Sequence, residues 1–202
     1  MIDFELSQDQ DAIVAAIDRI CDGFPDPYWR ARDIDGVFPN EFHQALAADG
    51  WLGIAMPEEY GGAGLGVTEA ALMMERIARS GGAMSAASSV HINIFGPHPI
   101  AVFGDDHQNQ RWLPQLIKGE VKACFAVTEP DAGLNTTNIS TRADKTGEHY
   151  IVNGRKLWTS TAQQADKVML LARTRRRDEC SKATDGMTLF YTDLNRDHID
   201  VR

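Results

Sequence analysis

The sequence predicts an α+β protein, an all-helical N-terminal part followed by a β domain, and three observations carry that prediction. Apolar residues recur at helical spacing between capping signals as far as about residue 120. From Lys122 onward that period is lost, and short β-prone runs alternate with turn residues. The chain of 202 residues, 43% hydrophobic and 24% charged, is long enough to bury a core of its own. These place one domain at 1–120 and a second at 121–202.

Ser7-x-x-Gln10 reads as a capping box, and Ile13, Ile17, Ile20 and Phe24 follow at helical spacing until Pro25 and Pro27 stop the helix. Pro39 reads as the first position of a second helix, with Phe42, Ala45 and Leu46 on one side and Gly50 as its left-handed stop. Past a glycine-rich loop at 61–66, Thr68 is the expected N-cap of a helix that buries Leu72, Met73 and Ile77 and ends at Gly81-Gly82. Residues 85–95 are small and apolar and read as helical, with Pro97 and Pro99 as terminators. A short helix carries Trp112, Leu113, Leu116 and Ile117.

Strands are expected at 124–127, 139–143, 150–152, 155–159, 168–172 and 188–191. Asn153-Gly154 is the strongest turn signal, and it predicts a two-residue hairpin between 150–152 and 155–158. Residues 173–186, with Arg175, Arg176 and Arg177, read as a solvated loop.

Composition narrows the function. With 20 Lys and Arg against 29 Asp and Glu, the net charge of -9 gives no basic field for nucleic acid or anionic lipid. The longest apolar runs fall far short of a membrane span, and the acidic start, Asp3 and Glu5, lacks the basic region of a signal peptide. Cys21, Cys124 and Cys180 are odd in number and widely spaced, so a reducing cytoplasm is the expected compartment. The six histidines show no metal spacing, and no Ser or Cys sits in a nucleophile elbow. Gly61-Gly62-Ala63-Gly64-Leu65-Gly66 has the look of a dinucleotide loop but follows no strand. More unusual is residues 125–133, a strand that runs into a Pro/Gly turn with Thr128 and Glu129 at its end, where ligands usually sit.

At these residues the chain resembles the FAD-dependent acyl-CoA dehydrogenases along essentially its whole length. Asp3-Phe4-x-Leu6-Ser7-x-x-Gln10 is similar to the family's opening, and Phe38-Pro39-x-Glu41 with Gly50-Trp51-Leu52-Gly53-Ile54-Ala55-Met56-Pro57-Glu58-Glu59-Tyr60-Gly61-Gly62 to its second helix and loop. Ala126-Val127-Thr128-Glu129-Pro130-Asp131-Ala132-Gly133 resembles the family signature, and Asn153-Gly154-x-Lys156-x-Trp158-Thr159-Ser160 its second flavin-contacting stretch. The resemblance implies a helical domain followed by a middle β barrel, here incomplete.

The resemblance also implies roles. Thr128 would hydrogen-bond the flavin ring, with Phe125, Ala126 and Val127 beside the isoalloxazine. Trp158 would lie against the flavin, and Thr159 and Ser160 would offer donors near its reactive edge. Gly133 and Leu134 complete the cofactor-binding set, and Leu134 also falls at the substrate's thioester or pantetheine end. There the family has Ser or Thr, and Leu134 has no hydroxyl to donate. Glu129 is expected to be structural, not the base.

The implied reaction removes an α-proton from an acyl-CoA and passes the β-hydride to FAD, giving the 2,3-enoyl-CoA, with electrons leaving to an electron-transfer flavoprotein. Family members are longer and end in a helical domain that supplies the base and reaches FAD in a neighbouring subunit. A homo-oligomer is therefore implied, together with an inactive isolated chain that lacks this domain and contains no general base. A non-catalytic interaction module, or a flavin-dependent oxidase or monooxygenase, would share the fold. Flavin content and the reaction of reduced flavin with oxygen separate them.

Overall fold

The computed structural model describes residues 5–202, so Asp3 and Phe4 of the opening motif lie outside the described residues. The chain divides into two units, Met1–Val121 and Lys122–Arg202.

The first unit is helical. Helix α1, Gln8–Asp22, starts on the expected capping box: the Ser7 hydroxyl accepts from the Gln10 N–H, and the Gln10 side chain accepts from the Ser7 N–H. Pro25 and Pro27 do end α1, but they also open a helix the sequence reading missed, α2 at Asp26–Asp35, because proline fits the first turn, where its absent N–H has no partner to lose. Helix α3, Asn40–Ala48, follows Pro39, and Gly50 takes the expected left-handed backbone at φ +79°. The glycine loop then folds back so tightly that a Cβ on Gly62 would stand 2.2 Å from the Met56 carbonyl oxygen.

Helix α4, Val67–Arg79, begins two residues before the position expected from Thr68: its N-cap is Gly66, whose N–H donates to the Glu69 carboxylate one turn on. Within α4, Met73 and Ile77 are buried and Leu72 is only half-buried. Helix α5 covers Ala83–Phe95. As expected, α5 ends ahead of Pro97 and Pro99, and these prolines also stand at the head of a further helix, α6 at His98–Phe103. Helix α7, Asp106–Ile117, is capped by Asp105. Ile13 and Ile17 of α1, Phe42 and Leu46 of α3, Met73 and Ile77 of α4 and Val90 of α5 form one core, each side chain contributing about 1.5–3 kcal/mol by leaving water. Arg76 on α4 grips Asp18 on α1 through two bonds of 2.7 Å.

The second unit is a five-stranded sheet. Its strands are β1 Ala123–Ala126, β2 Arg142–Thr146, β3 His149–Asn153, β4 Lys167–Arg173 and β5 Met187–Asp193. β4 is the spine: β5 pairs along it antiparallel, while β1 pairs in parallel from Ala123↔Lys167 to Ala126↔Leu170. β2 meets β4 at one pair, Arg142↔Arg173. Between Ala126 and Arg142 the chain leaves the sheet and returns to the same spine strand.

Three strand expectations are corrected. The hairpin joins β2 to β3 and turns at Gly147-Glu148, inside the Thr146↔His149 pair, with Gly147 at φ +62°. Asn153-Gly154 is not a turn: Asn153 ends β3, and Gly154 is absent from the positive-φ residues. The expected strand at 155–159 is not formed, and the strand expected at 139–143 begins at Arg142 instead, because the amides of Ser140 and Thr141 are spent on the Glu129 carboxylate. The loop expected at 173–186 loses its first residue to β4, where Arg173 is buried.

Candidate functional site

The site begins where β1 ends. Glu129 and Ala132 bond to each other's main chain in both directions, 3.1 and 3.2 Å, closing a tight turn over Pro130 and Asp131. That turn carries the Glu129 side chain inward to burial. Its carboxylate accepts from the Ser140 N–H at 2.6 Å, the Ser140 hydroxyl at 2.8 Å, the Thr141 N–H at 3.0 Å and the Lys156 ammonium at 2.8 Å. Burial alone would raise its pKa, but the bonds from Lys156, Thr141 and Ser140 outweigh that and hold it down at about 2. Both carboxylate oxygens are thus engaged by donors that favour the ionised form, a geometry in keeping with the expected structural role.

Lys156 also donates to the Val127 carbonyl at 2.9 Å, and the Leu157 N–H donates to the Thr128 carbonyl at 2.8 Å. These bonds bring residues 127–129 and 156–157 side by side although neither is in a strand. Gly154 permits the approach: a Cβ there would stand 2.2 Å from the Thr141 hydroxyl oxygen. Asn153-Gly154 therefore serves close packing and not chain reversal.

Directly after the junction, Trp158 holds a left-handed backbone at φ +56° and is 87% exposed as a residue. Thr161 is left-handed as well, φ +62°. For residues with a Cβ this conformation is strained, and such strain collects at sites of function. A large aromatic surface is thus held out in water by a backbone that does not favour it. Among the described residues, nothing accepts from the Thr128 hydroxyl or from the main-chain amides of Thr128, Trp158 and Thr159. An aromatic wall flanked by unengaged donors is what a planar, acceptor-edged ring needs, so these residues fit an isoalloxazine.

The remaining expected site residues are placed as follows. Phe125 and Val127 are half-buried on either side of Ala126, whose methyl belongs to the apolar cluster with Cys124 and Val168 and leaves only its backbone to offer a ligand. Thr159 is half-buried and Ser160 exposed, its N–H turned back to the Trp158 carbonyl. Gly133 and Leu134 lie on the loop outside the hydrogen-bonded junction, and Leu134 is fully exposed. Sequence reasoning assigned no part to Lys156 and placed Arg173 in a solvated loop. Neither residue carries a local signal that separates it from a solvated cation, since Lys156 follows Arg155 and Arg173 heads a polar run.

Residues 7–120 match the family model for the acyl-CoA dehydrogenase N-terminal domain, and residues 124–202 the model for its middle domain. The chain is 35% identical over 167 residues to a 3-(aryl)acrylate reductase of Clostridium sporogenes, covering 83% of this chain and 43% of that protein. It is 38% identical over 149 residues to the mitochondrial isovaleryl-CoA dehydrogenase of Bos taurus, covering 72% of this chain and 35% of that one. A glutaryl-CoA dehydrogenase from Mycobacterium smegmatis, solved in complex with FADH2, superposes with a TM-score of 0.82 at 27% identity, covering 94% of this chain and 46% of that one. The chain thus spans less than half the length of each of these proteins.

Proposed function

Because the chain belongs to the acyl-CoA dehydrogenase family, we propose that it forms part of an FAD-dependent oxidoreductase that converts an acyl-CoA thioester to the 2,3-enoyl-CoA. In this reading residues 1–120 are the N-terminal helical domain and residues 121–202 belong to the middle domain. The observation that carries it is the junction of Thr128 with Leu157, which sets unengaged donors beside the exposed Trp158.

FAD, when bound, supplies the hydride acceptor. The chain's own residues hold and polarise it. The Thr128 hydroxyl and amide would donate to ring acceptors, the Trp158 indole would lie against the ring, and the Thr159 amide and hydroxyl with the Ser160 hydroxyl would offer donors near its reactive edge. Phe125 and Val127 line the strand side, and the backbone of Ala126 passes between them. Gly133 leaves open space in which a ligand can lie against the main chain, and Leu134 gives the substrate an apolar contact in place of a hydroxyl bond. No carboxylate near the junction is assigned as general base. Electron-transfer flavoprotein is the proposed electron acceptor, and a homo-oligomer in a reducing cytoplasm the proposed working form, in keeping with three free cysteines.

The test is an FAD titration of the purified protein, followed by its flavin absorption and then by addition of an acyl-CoA thioester. Saturable binding, weakened about 2- to 10-fold by Thr128→Val through loss of one hydrogen bond, with a shift of the flavin band on adding the thioester, is the expected result. Binding that is absent, or indifferent to Thr128→Val and to thioester alike, would contradict the reading.

A further inference from the structure

Arg173 closes β4 and is 5% exposed. Its Nε donates to the Ile139 carbonyl at 3.2 Å, its Nη2 to the carbonyls of Thr137 at 2.6 Å and Ala183 at 3.0 Å, and its Nη1 to that of Asp185 at 3.2 Å. Its own N–H donates to the Thr141 carbonyl at 2.8 Å. Main chain and side chain of this one residue therefore bind alternate carbonyls, 137, 139 and 141, of a single segment. Beyond Arg173 the main chain turns off into the 174–186 loop, and the guanidinium continues the ladder in its place while tying that loop to the same segment. A planar fork of donors suits carbonyls arriving from two directions, which a lysine ammonium cannot match.

The segment so held presents the amides of Ser140 and Thr141 that grip Glu129, and Glu129 grips Lys156. The geometry points to Arg173 as a positioning residue for the flavin-facing stretch, acting through Ser140, Thr141, Glu129 and Lys156 on the Thr128–Leu157 junction and hence on Trp158. This inference rests on the flavin reading of Thr128 and Trp158 above.

The test compares Arg173→Lys and Arg173→Met with Arg176→Met, whose side chain lies on the neighbouring exposed loop. Amide exchange is read at Ser140, Thr141 and Leu157, and the visible circular dichroism of bound FAD is read at saturating flavin. Both Arg173 variants are expected to speed exchange about tenfold or more at Ser140 and Thr141 and severalfold at Leu157, and to alter the bound-flavin dichroism. Arg176→Met is expected to change neither. Faster exchange confined to 137–141, with Leu157 and the flavin dichroism as in wild type, would overturn the proposal and leave Arg173 a local anchor. Faster exchange at Leu157 in a protein that takes up no FAD would sink the flavin reading and keep the positioning role. Should both Arg173 variants fail to fold, native-state exchange of the wild type decides: Ser140, Thr141 and Leu157 open with one shared free energy if they are coupled, and with separate ones if the proposal is wrong.

Discussion

The ammonium of Lys156 lies 2.8 Å from a carboxylate oxygen of Glu129, and the two side chains are 9% and 2% exposed. Lys156 follows Glu129 by 27 positions, so the pair helps to close the loop between the two motif stretches. Removing either partner strands a buried charge, which typically costs ~3–5 kcal/mol.

The two single substitutions will not be equal. Glu129→Gln leaves the Lys156 ammonium with neutral acceptors only and sets an amide NH2 against the N–H of Ser140 or of Thr141, whereas Lys156→Met leaves the Glu129 carboxylate with the donors of Ser140 and Thr141. Denaturant unfolding should show the larger loss for Glu129→Gln, and the double variant should lose less than the two singles added together.

Acid stability follows from the same carboxylate. Its folded value of about 2 lies below the 4.5 of an ordinary glutamate, so its contribution is complete above 4.5 and fades as pH falls toward 2. The amount at stake is on the order of 3 kcal/mol. Unfolding free energies measured between pH 6 and pH 2.5 should fall more steeply for wild type than for Glu129→Gln; parallel curves would show that other carboxylates govern the acid limb.

The turn role that the sequence suggests for Gly154 falls to Gly147 instead. Gly147→Ala places a Cβ on a left-handed turn residue with open space around it, whereas Gly154→Ala drives a methyl into Thr141. Thermal melts should show a loss of ~1 kcal/mol for Gly147→Ala, largely avoided by Gly147→Asn, and a greater loss for Gly154→Ala.

The three thiols should differ in reactivity. Burial pushes Cys124 up to about 11 and raises Cys21 as well, while Cys180 is half-buried on the 174–186 loop. A disulfide reagent applied to the native protein, followed by peptide mapping, should label Cys180 first. Early labelling of Cys124 would mean that the β1 cluster opens readily.

What was legible in the sequence was local. The Ser7–Gln10 capping box and the left-handed Gly50 each depend on neighbours within a turn, and both hold in the structure. The prolines misled because a residue that stops one helix is equally suited to start the next, which hid α2 and α6. The true hairpin turn and the false one both contain glycine. What separates them is the position of Thr141, which the local pattern does not encode. Of the site, the motif stretches were legible, but the contacts that join them were not. The partner of Lys156 is 27 residues away, and the carbonyls of Thr137 and Ile139 held by Arg173 are 36 and 34 residues away. A basic residue at the head of a polar run therefore reads as solvated until the fold brings its acceptors to it.

The central claim, that the Lys156–Glu129 pair holds Trp158 and Thr128 against a flavin, is tested most directly by the emission of Trp158 during FAD titration. Subtracting the same titration of Trp158→Phe, a change at an exposed position, isolates that indole from the other tryptophans. Saturating quenching of the Trp158 component, with one flavin bound per chain and with weaker quenching in Lys156→Met, is the predicted result. FAD binding that leaves the Trp158 component unquenched, or quenching unaffected by Lys156→Met, would contradict it.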